Sequence, residues 1–173
     1  MTVEARSFPS TVTPSRGEGD GGTVIFRKAT ADDAEELLKL QYLCYQPEAA
    51  LYGYGIQPLT QRLHEVVAEI AQGQAFVAVQ SGFIVGGVRC HVDGEVMRLG
   101  KLICHPRVQK QGIGSRLMTL AEDYARSQPG VVAIVLFTGA ESAHNLRFYK
   151  QRGYEETHTT SPPHLAWLRK RLR

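Results

Sequence analysis

Between Ala75 and Phe137 the chain follows an order that few folds can accept: three short β-patterned runs parted by turn dipeptides, one helical stretch, and one more apolar run. The β-patterned runs are Phe76-Val77-Ala78-Val79, residues 83–91 and residues 96–104, with Ser81-Gly82 and Asp93-Gly94 between them. Turn-linked neighbours of this kind pair as an antiparallel meander. The helix expected from about Gly112 to Arg126 then leads to the apolar run 131–137, and a strand-helix-strand crossover sets its two strands parallel. The chain therefore reads as a mixed α/β (α+β) domain. Its sheet is twisted and mostly antiparallel, is flanked by helices, and has parallel fourth and fifth strands.

Thr23-Val24-Ile25-Phe26-Arg27 supplies the first strand. Thr30 with Asp33 caps a helix expected over 31–42, whose Ala34, Leu37, Leu38 and Leu40 form one apolar face. Residues 47–58 read as a loop around Tyr52, Gly53, Tyr54 and Gly55, and Thr60 opens a second helix through Ala71. Tyr52 and Tyr54 are read as substrate contacts on a lid; the alternative is that they pack over the edge of the core. A short helix over 143–151, Gly153 as its stop, and a last strand at Leu165-Ala166-Trp167-Leu168 complete the pattern. Residues 1–22, rich in Thr, Ser, Pro and Gly, read as a disordered leader, and residues 23–173 as a single domain. With 43% hydrophobic residues a domain of this length can build a core.

The formal charge of +3 depends on a terminal cluster, Arg169, Lys170, Arg171 and Arg173, without which the balance is slightly acidic. A nucleic-acid binder spreads such charges over a face, so the cluster reads as a solvated tail and nucleic acid is disfavoured as a partner. Cys44, Cys90 and Cys104 are odd in number and widely spaced, which fits neither a disulfide framework nor a metal site and suits a reducing cytoplasm. No apolar run approaches the roughly 18 residues of a membrane span, so no membrane partner is expected.

Residues 99–117 read strand, loop, helix, with Gly112 and Gly114 where the helix opens. Glycine lets the backbone approach a ligand closely, and the free N–H groups of a helix start favour a phosphate. Glycine there also serves close packing or a simple turn. No Gly-x-x-x-x-Gly-Lys-Ser/Thr occurs, nor a Gly-x-Gly-x-x-Gly with a following acidic partner, which disfavours ATP and NAD.

Gln109-Lys110-Gln111-Gly112-Ile113-Gly114 matches the Gln/Arg-x-x-Gly-x-Gly/Ala signature, and at this point the chain resembles the GNAT family of acetyltransferases. A second family element is matched by Asn145-Leu146-Arg147-Phe148-Tyr149-Lys150 followed by Gly153-Tyr154, and the resemblance runs from about Val24 to Tyr154. Asn145 and Tyr149, four apart, share one helix face and can address one ligand. As plain structure, Tyr149 is a core aromatic with its hydroxyl at the surface.

The resemblance implies acetyl-CoA as co-substrate and a fourth strand that bulges and splays from the fifth. It implies that Leu102, Ile103 and Cys104 offer backbone contacts to the pantetheine arm and to the oxyanion, with Gln109 through Ser115 (Gln109, Lys110, Gln111, Gly112, Ile113, Gly114, Ser115) around the pyrophosphate. Asn145 and Tyr149 then meet the cofactor, and Tyr149 donates a proton to the departing sulfur. Cys104 as an acyl carrier is disfavoured, because nothing nearby marks an activated thiolate. The clearest family members carry a glutamate base where Arg98 stands here, and arginine cannot serve. Glu95, His91 and Glu141 are the candidates the pattern offers, Glu95 foremost, each also readable as a solvated turn or strand-edge residue; ordered water is the alternative route. The implied activity is transfer of an acetyl group to a primary amine of a small molecule by direct attack. Acetylation of protein N-termini or lysines, and a non-catalytic acyl-CoA-binding module, are the alternatives. A homodimer is left open.

Overall fold

The computed structural model describes residues 22–158 and 162–172. The expected leader, residues 1–22, lies outside the described residues except for Gly22, whose carbonyl accepts a hydrogen bond from Gln80 Nε2 (3.0 Å). Seven strands form one sheet in the order β1-β2-β3-β4-β5-β7-β6. They are β1 (Ile25–Lys28), β2 (Gln74–Gln80), β3 (Phe83–Asp93), β4 (Val96–Cys104), β5 (Ala133–Gly139), β6 (Glu155–Glu156) and β7 (Leu165–Arg171). Every neighbouring pair is antiparallel except β4 and β5, which run parallel. The α/β architecture read from the turn and crossover pattern is the one observed. The β2–β3 turn places both Ser81 (φ 51°) and Gly82 (φ 78°) in the left-handed region, the geometry that a two-residue hairpin turn requires.

The helices lie in two layers. On one face, α1 (Ala34–Cys44), α2 (Gln46–Tyr52), α3 (Gln57–Thr60) and α4 (Leu63–Gln72) follow β1. Leu37 and Leu40 of α1 pack there with Val77, Ile84 and Ile103 of the sheet. On the other face, α5 (Ile113–Ser127) and α6 (Ala143–Gln151) cover the larger core, in which Leu117, Met118 and Ala121 meet Met97, Leu99, Ile134 and Leu136. The alternation that sends Phe76 and Ala78 to one core and Val77 to the other is the period-two pattern of a strand buried on both faces.

Three expectations are corrected. Residues 47–58 are a loop only over 53–56: Pro47 sits in the first turn of α2, where its missing N–H costs nothing, and Glu48, Ala49, Ala50 and Leu51 carry the helix to Gly53 at φ 83°, with α3 beginning at Gln57. The second helix starts at Leu63 rather than Thr60, with the Arg62 N–H donating to Glu65 Oε2 at 2.6 Å. Nor is the basic cluster a tail. Arg169, Lys170 and Arg171 lie in β7, and Lys170 Nζ reaches Glu122 Oε2 at 3.1 Å; Arg173 lies outside the described residues.

Candidate active site

The sheet opens at its middle. β4 and β5 pair at Val96↔Ala133, Met97↔Ile134 and Arg98↔Val135, and the ladder ends there. Beyond it β4 stays with β3, while β5 stays with β7 as far as Gly139↔Leu165. A bulge helps to turn β4 away: Gly87 pairs with Ile103 and Arg89 with Gly100, so Lys101 and Leu102 together oppose Val88 alone. Lys101 takes φ 50°, a conformation that costs a non-glycine residue energy unless its surroundings hold it.

Those surroundings are a polar network under α1 and α4. Glu69 of α4 accepts from Lys101 Nζ (2.7 Å), Arg89 Nη1 (2.7 Å) and Gln61 Nε2 (2.7 Å). Arg89 also donates to Gln61 Oε1 (2.9 Å) and Gln41 Oε1 (2.7 Å). Burial works to raise the Glu69 pKa, but the Lys101 and Arg89 cations hold it below the ordinary glutamate value. Burial lowers the Lys101 pKa, opposed by Glu69.

At the far end of β4 the chain turns through residues 105–112 into α5. Lys110 (φ 63°) and Gly112 (φ 81°) are left-handed, and Gly112 caps the helix. A Cβ added at Gly112 or Gly114 would meet nothing within 4 Å, so open space lies before the first N–H groups of a 15-residue helix. Helix starts of this kind hold anions. Gln109, Lys110, Gln111 and Ser115 are exposed around this mouth, and Gln109 Nε2 donates to the Cys104 carbonyl at 3.2 Å. Ile113 is 3% exposed and packs in the core, which leaves its backbone as the only part able to face a ligand.

Tyr149, 8% exposed, lies in the core beneath α6, its ring 5.3 Å from Phe148 and 5.8 Å from Tyr154. Burial pushes its pKa well above the ordinary phenol value. Tyr45, at the junction of α1 and α2, comes from the opposite layer, and its pKa rises chiefly by burial and then by the proximity of Tyr149 and Glu48. Asn145 is tied to β5 through Nδ2 to Thr138 Oγ1 at 3.2 Å. α2 spans the opening. At its start the Cys44 thiol donates to the Cys104 carbonyl (3.3 Å), and at its end Tyr52 accepts from the Glu141 N–H (3.1 Å) and lies over Gly139. Between them the Ser142 hydroxyl meets both carboxylate oxygens of Glu48, at 3.3 and 3.4 Å.

The structure thus brings Leu102, Ile103, Cys104, the 109–115 segment, Asn145, Tyr149 and Tyr52 around one opening. Three sequence candidates, Tyr54, Glu95 and His91, fall outside it. Tyr54 lies past the end of α2 and is 70% exposed. Glu95 is in the exposed β3–β4 turn, where its carbonyl accepts from Val132. That is the closed end of the β4–β5 pair, about 26 Å along β4 from Cys104 at ~3.3 Å per residue. His91 and Arg98 face each other across β3 and β4 at this same end, and Arg98 pairs with Asp93 (3.0 Å). Tyr45 and Glu48 went unread: their signal was the helical run after Pro47, which puts positions 45, 48 and 52 on one face.

Burial pushes the Cys104 thiol up to about 11 and the Cys44 thiol up to about 12. A thiol near 11 is ionised to about one part in 10⁴ at pH 7, so neither sulfur is a ready nucleophile. Among the described residues no group of three or more His, Cys, Asp or Glu is placed to hold a metal ion, and no helix is long and apolar enough to cross a membrane.

The sequence pattern of the acetyltransferase (GNAT) family matches residues 34–154. An uncharacterised N-acetyltransferase of Methanocaldococcus jannaschii is 26% identical over 154 residues, and the match covers 85% of this chain but only 66% of that protein's length. Among solved structures, the PaiA N-acetyltransferase of Thermoplasma acidophilum in complex with coenzyme A superposes with a TM-score of 0.75 at 15% identity, over 87% of this chain and 99% of that one. A GNAT-family acetyltransferase of Staphylococcus aureus gives a TM-score of 0.72 at 18% identity, over 87% and 100%. At these identities the two structures speak for the fold.

Proposed function

The chain belongs to the acetyltransferase (GNAT) family, and from that premise we propose that it moves the acetyl group of acetyl-CoA onto the primary amine of a small molecule in the cytoplasm, by direct attack. The observation that carries the reading is the end of the β4–β5 ladder at Arg98, with the open Gly112–Gly114 helix start beyond it and Tyr149 buried on the α6 side. The residues present fit the co-substrate: a Cβ at Gly112 or Gly114 would project into empty space where a pyrophosphate needs close backbone approach.

In this reading the first N–H groups of α5 and the loop from Gln109 to Gly112 bind the pyrophosphate, and Ser115 adds a hydroxyl at the same mouth. Leu102, Ile103 and Cys104 present the β4 edge that β5 has left, where an extended arm adds as a strand would. Asn145, tethered to Thr138, orients the acyl end beside α6. When bound, the co-substrate supplies an activated thioester carbonyl. Tyr149, its pKa raised by burial, stays protonated at neutral pH and acts as a hydrogen-bond and proton donor toward the departing sulfur. The buried, protonated thiols of Cys104 and Cys44 favour direct attack over an acyl-enzyme.

A panel of primary amines assayed with acetyl-CoA for released thiol tests the proposal. Turnover with small amines and none with peptides supports it. Acetyl-CoA binding without thiol release on any amine refutes it in favour of a binding module.

A further inference from the structure

We infer that Glu48 is the acceptor-side carboxylate of this reaction: it binds the ammonium group of an alkylamine and removes the proton that blocks attack. The inference rests on the acetyl-transfer reading and supplies the base that Arg98, standing where a glutamate was expected, cannot provide.

The position of α2 makes the case. It is anchored to the β4 side through Cys44 and Cys104 and to the β5 side through Tyr52, Gly139 and Glu141. Its sheet-facing positions are marked by Ala49, 5% exposed, and by Tyr52. Glu48 sits mid-span on this helix, half-buried, with Ser142 Oγ donating to its carboxylate at 3.3 and 3.4 Å. One hydroxyl leaves most of a carboxylate's acceptor capacity free, and an ammonium brings three donors.

The charged and titratable groups of the neighbouring elements gather around Tyr45, which Glu48, Tyr149, Arg89 and Cys44 all influence. Tyr45 lies three residues before Glu48; burial raises its pKa, and both Tyr149 of α6 and Glu48 are close enough to it to raise it further. Cys44 comes from α1 with its thiol bonded to Cys104. Arg89 of β3 is already occupied by Gln41, Gln61 and Glu69. Other carboxylates are unsuited: Glu69 is saturated by Lys101, Arg89 and Gln61, Glu95 lies at the closed end of the sheet, and Glu141 is exposed. An acceptor with a carboxylate beside its amine would set a second anion against Glu48, so the class that fits is an alkylammonium without an α-carboxylate.

The protons balance. The ammonium gives one proton to Glu48, which returns it to solvent, and the freed nitrogen lone pair forms the C–N bond as the C–S bond breaks. The sulfur takes the phenolic proton of Tyr149, and the second N–H proton, released as the amide forms, restores Tyr149.

The test uses the full chain with an alkylamine drawn from the panel. Glu48→Gln should bind acetyl-CoA with parental affinity by calorimetry, which establishes its fold, yet lose about 10²–10⁴-fold in kcat/KM for the amine at pH 7. The deficit should shrink as pH approaches the amine's own pKa of about 10, where solution supplies free amine. Glu48→Asp should recover part of the rate, and Ser142→Ala should lose less than Glu48→Gln. Parental rate and pH profile in Glu48→Gln overturn the assignment alone. A deficit equal at pH 7 and pH 10 overturns the base role. A parent chain that binds acetyl-CoA but acetylates no amine overturns the underlying reading and this inference with it.

Discussion

Replacing Glu122 by alanine should destabilise the fold by about 3 kcal/mol, because this 4% exposed carboxylate is where α5, α6 and β7 are tied together. It accepts from Tyr154 Oη at 3.2 Å, Arg152 Nε at 3.4 Å and Lys170 Nζ at 3.1 Å. Tyr154 is 2% exposed, so its hydroxyl would be stranded at a cost of about 1–3 kcal/mol. The side chains of Arg152 and Lys170 are each 20% exposed, so both cations can turn outward. The ~3–5 kcal/mol for a broken buried pair is therefore an upper limit for them. For a domain of this size about 3 kcal/mol corresponds to a fall in Tm of roughly 6–12 °C, measured by circular dichroism at neutral pH. Tyr154→Phe in the same background should recover part of the loss, since the stranded donor goes with its partner. A fall below about 2 °C in Glu122→Ala would mean that water replaces the carboxylate at all three donors, and the tie would not exist.

Gly112→Asp and Gly114→Asp should each abolish acetyl-CoA binding in calorimetry, since both place a carboxylate in the open space before the α5 start; Gly112→Asp also strains a residue at φ 81° and should lower Tm slightly, whereas Gly114→Asp should leave it near the parent's. Tyr149→Phe should reduce the single-turnover rate by about 10²–10⁴-fold while acetyl-CoA affinity changes little; equal single-turnover rates would make Tyr149 a packing residue. Asp33 is held below the ordinary aspartate pKa chiefly by its hydrogen bonds from Arg27, against opposing burial. A depressed folded pKa adds stability above the unfolded value of about 3.9 and loses it as pH falls through the folded value. Asp33→Asn should therefore be less stable than the parent at pH 7, with the gap closing in denaturant titrations below about pH 3.

The β2–β3–β4 meander and the parallel β4–β5 pair were legible because both are local. Ser81-Gly82 and Asp93-Gly94 declare tight turns, the crossover from β4 through α5 to β5 fixes the parallel pair, and Gly112 marks the start of the crossover helix. What stayed hidden depends on contacts distant in sequence. Ser142 and Glu48 are 94 residues apart, and Lys170 and Glu122 are 48 apart; no spacing rule links them, so the first pair gave no signal and Lys170 read as part of a charged tail. α2 was obscured differently: Tyr52-Gly53-Tyr54-Gly55 outweighed a short helical run whose stability comes from its seat on Gly139 rather than from propensity. Glu95 was drawn in by its nearness to Arg98 in sequence, which on an extended strand says little about nearness to the opening.

The two helical layers approach each other at Tyr149 and Tyr45 and where Ser142, at the start of α6, meets Glu48 of α2. For the proposed reaction this gives two doors. The nucleotide arm enters beside α5 and α6, and the amine enters beneath α2 on the opposite face of the sheet. On this reading one reactant need not leave before the other arrives, and both can be present when the new bond forms. A scheme in which the protein briefly carries the acyl group becomes unnecessary, and the acetylated amine can depart while the spent thiol still occupies its own channel.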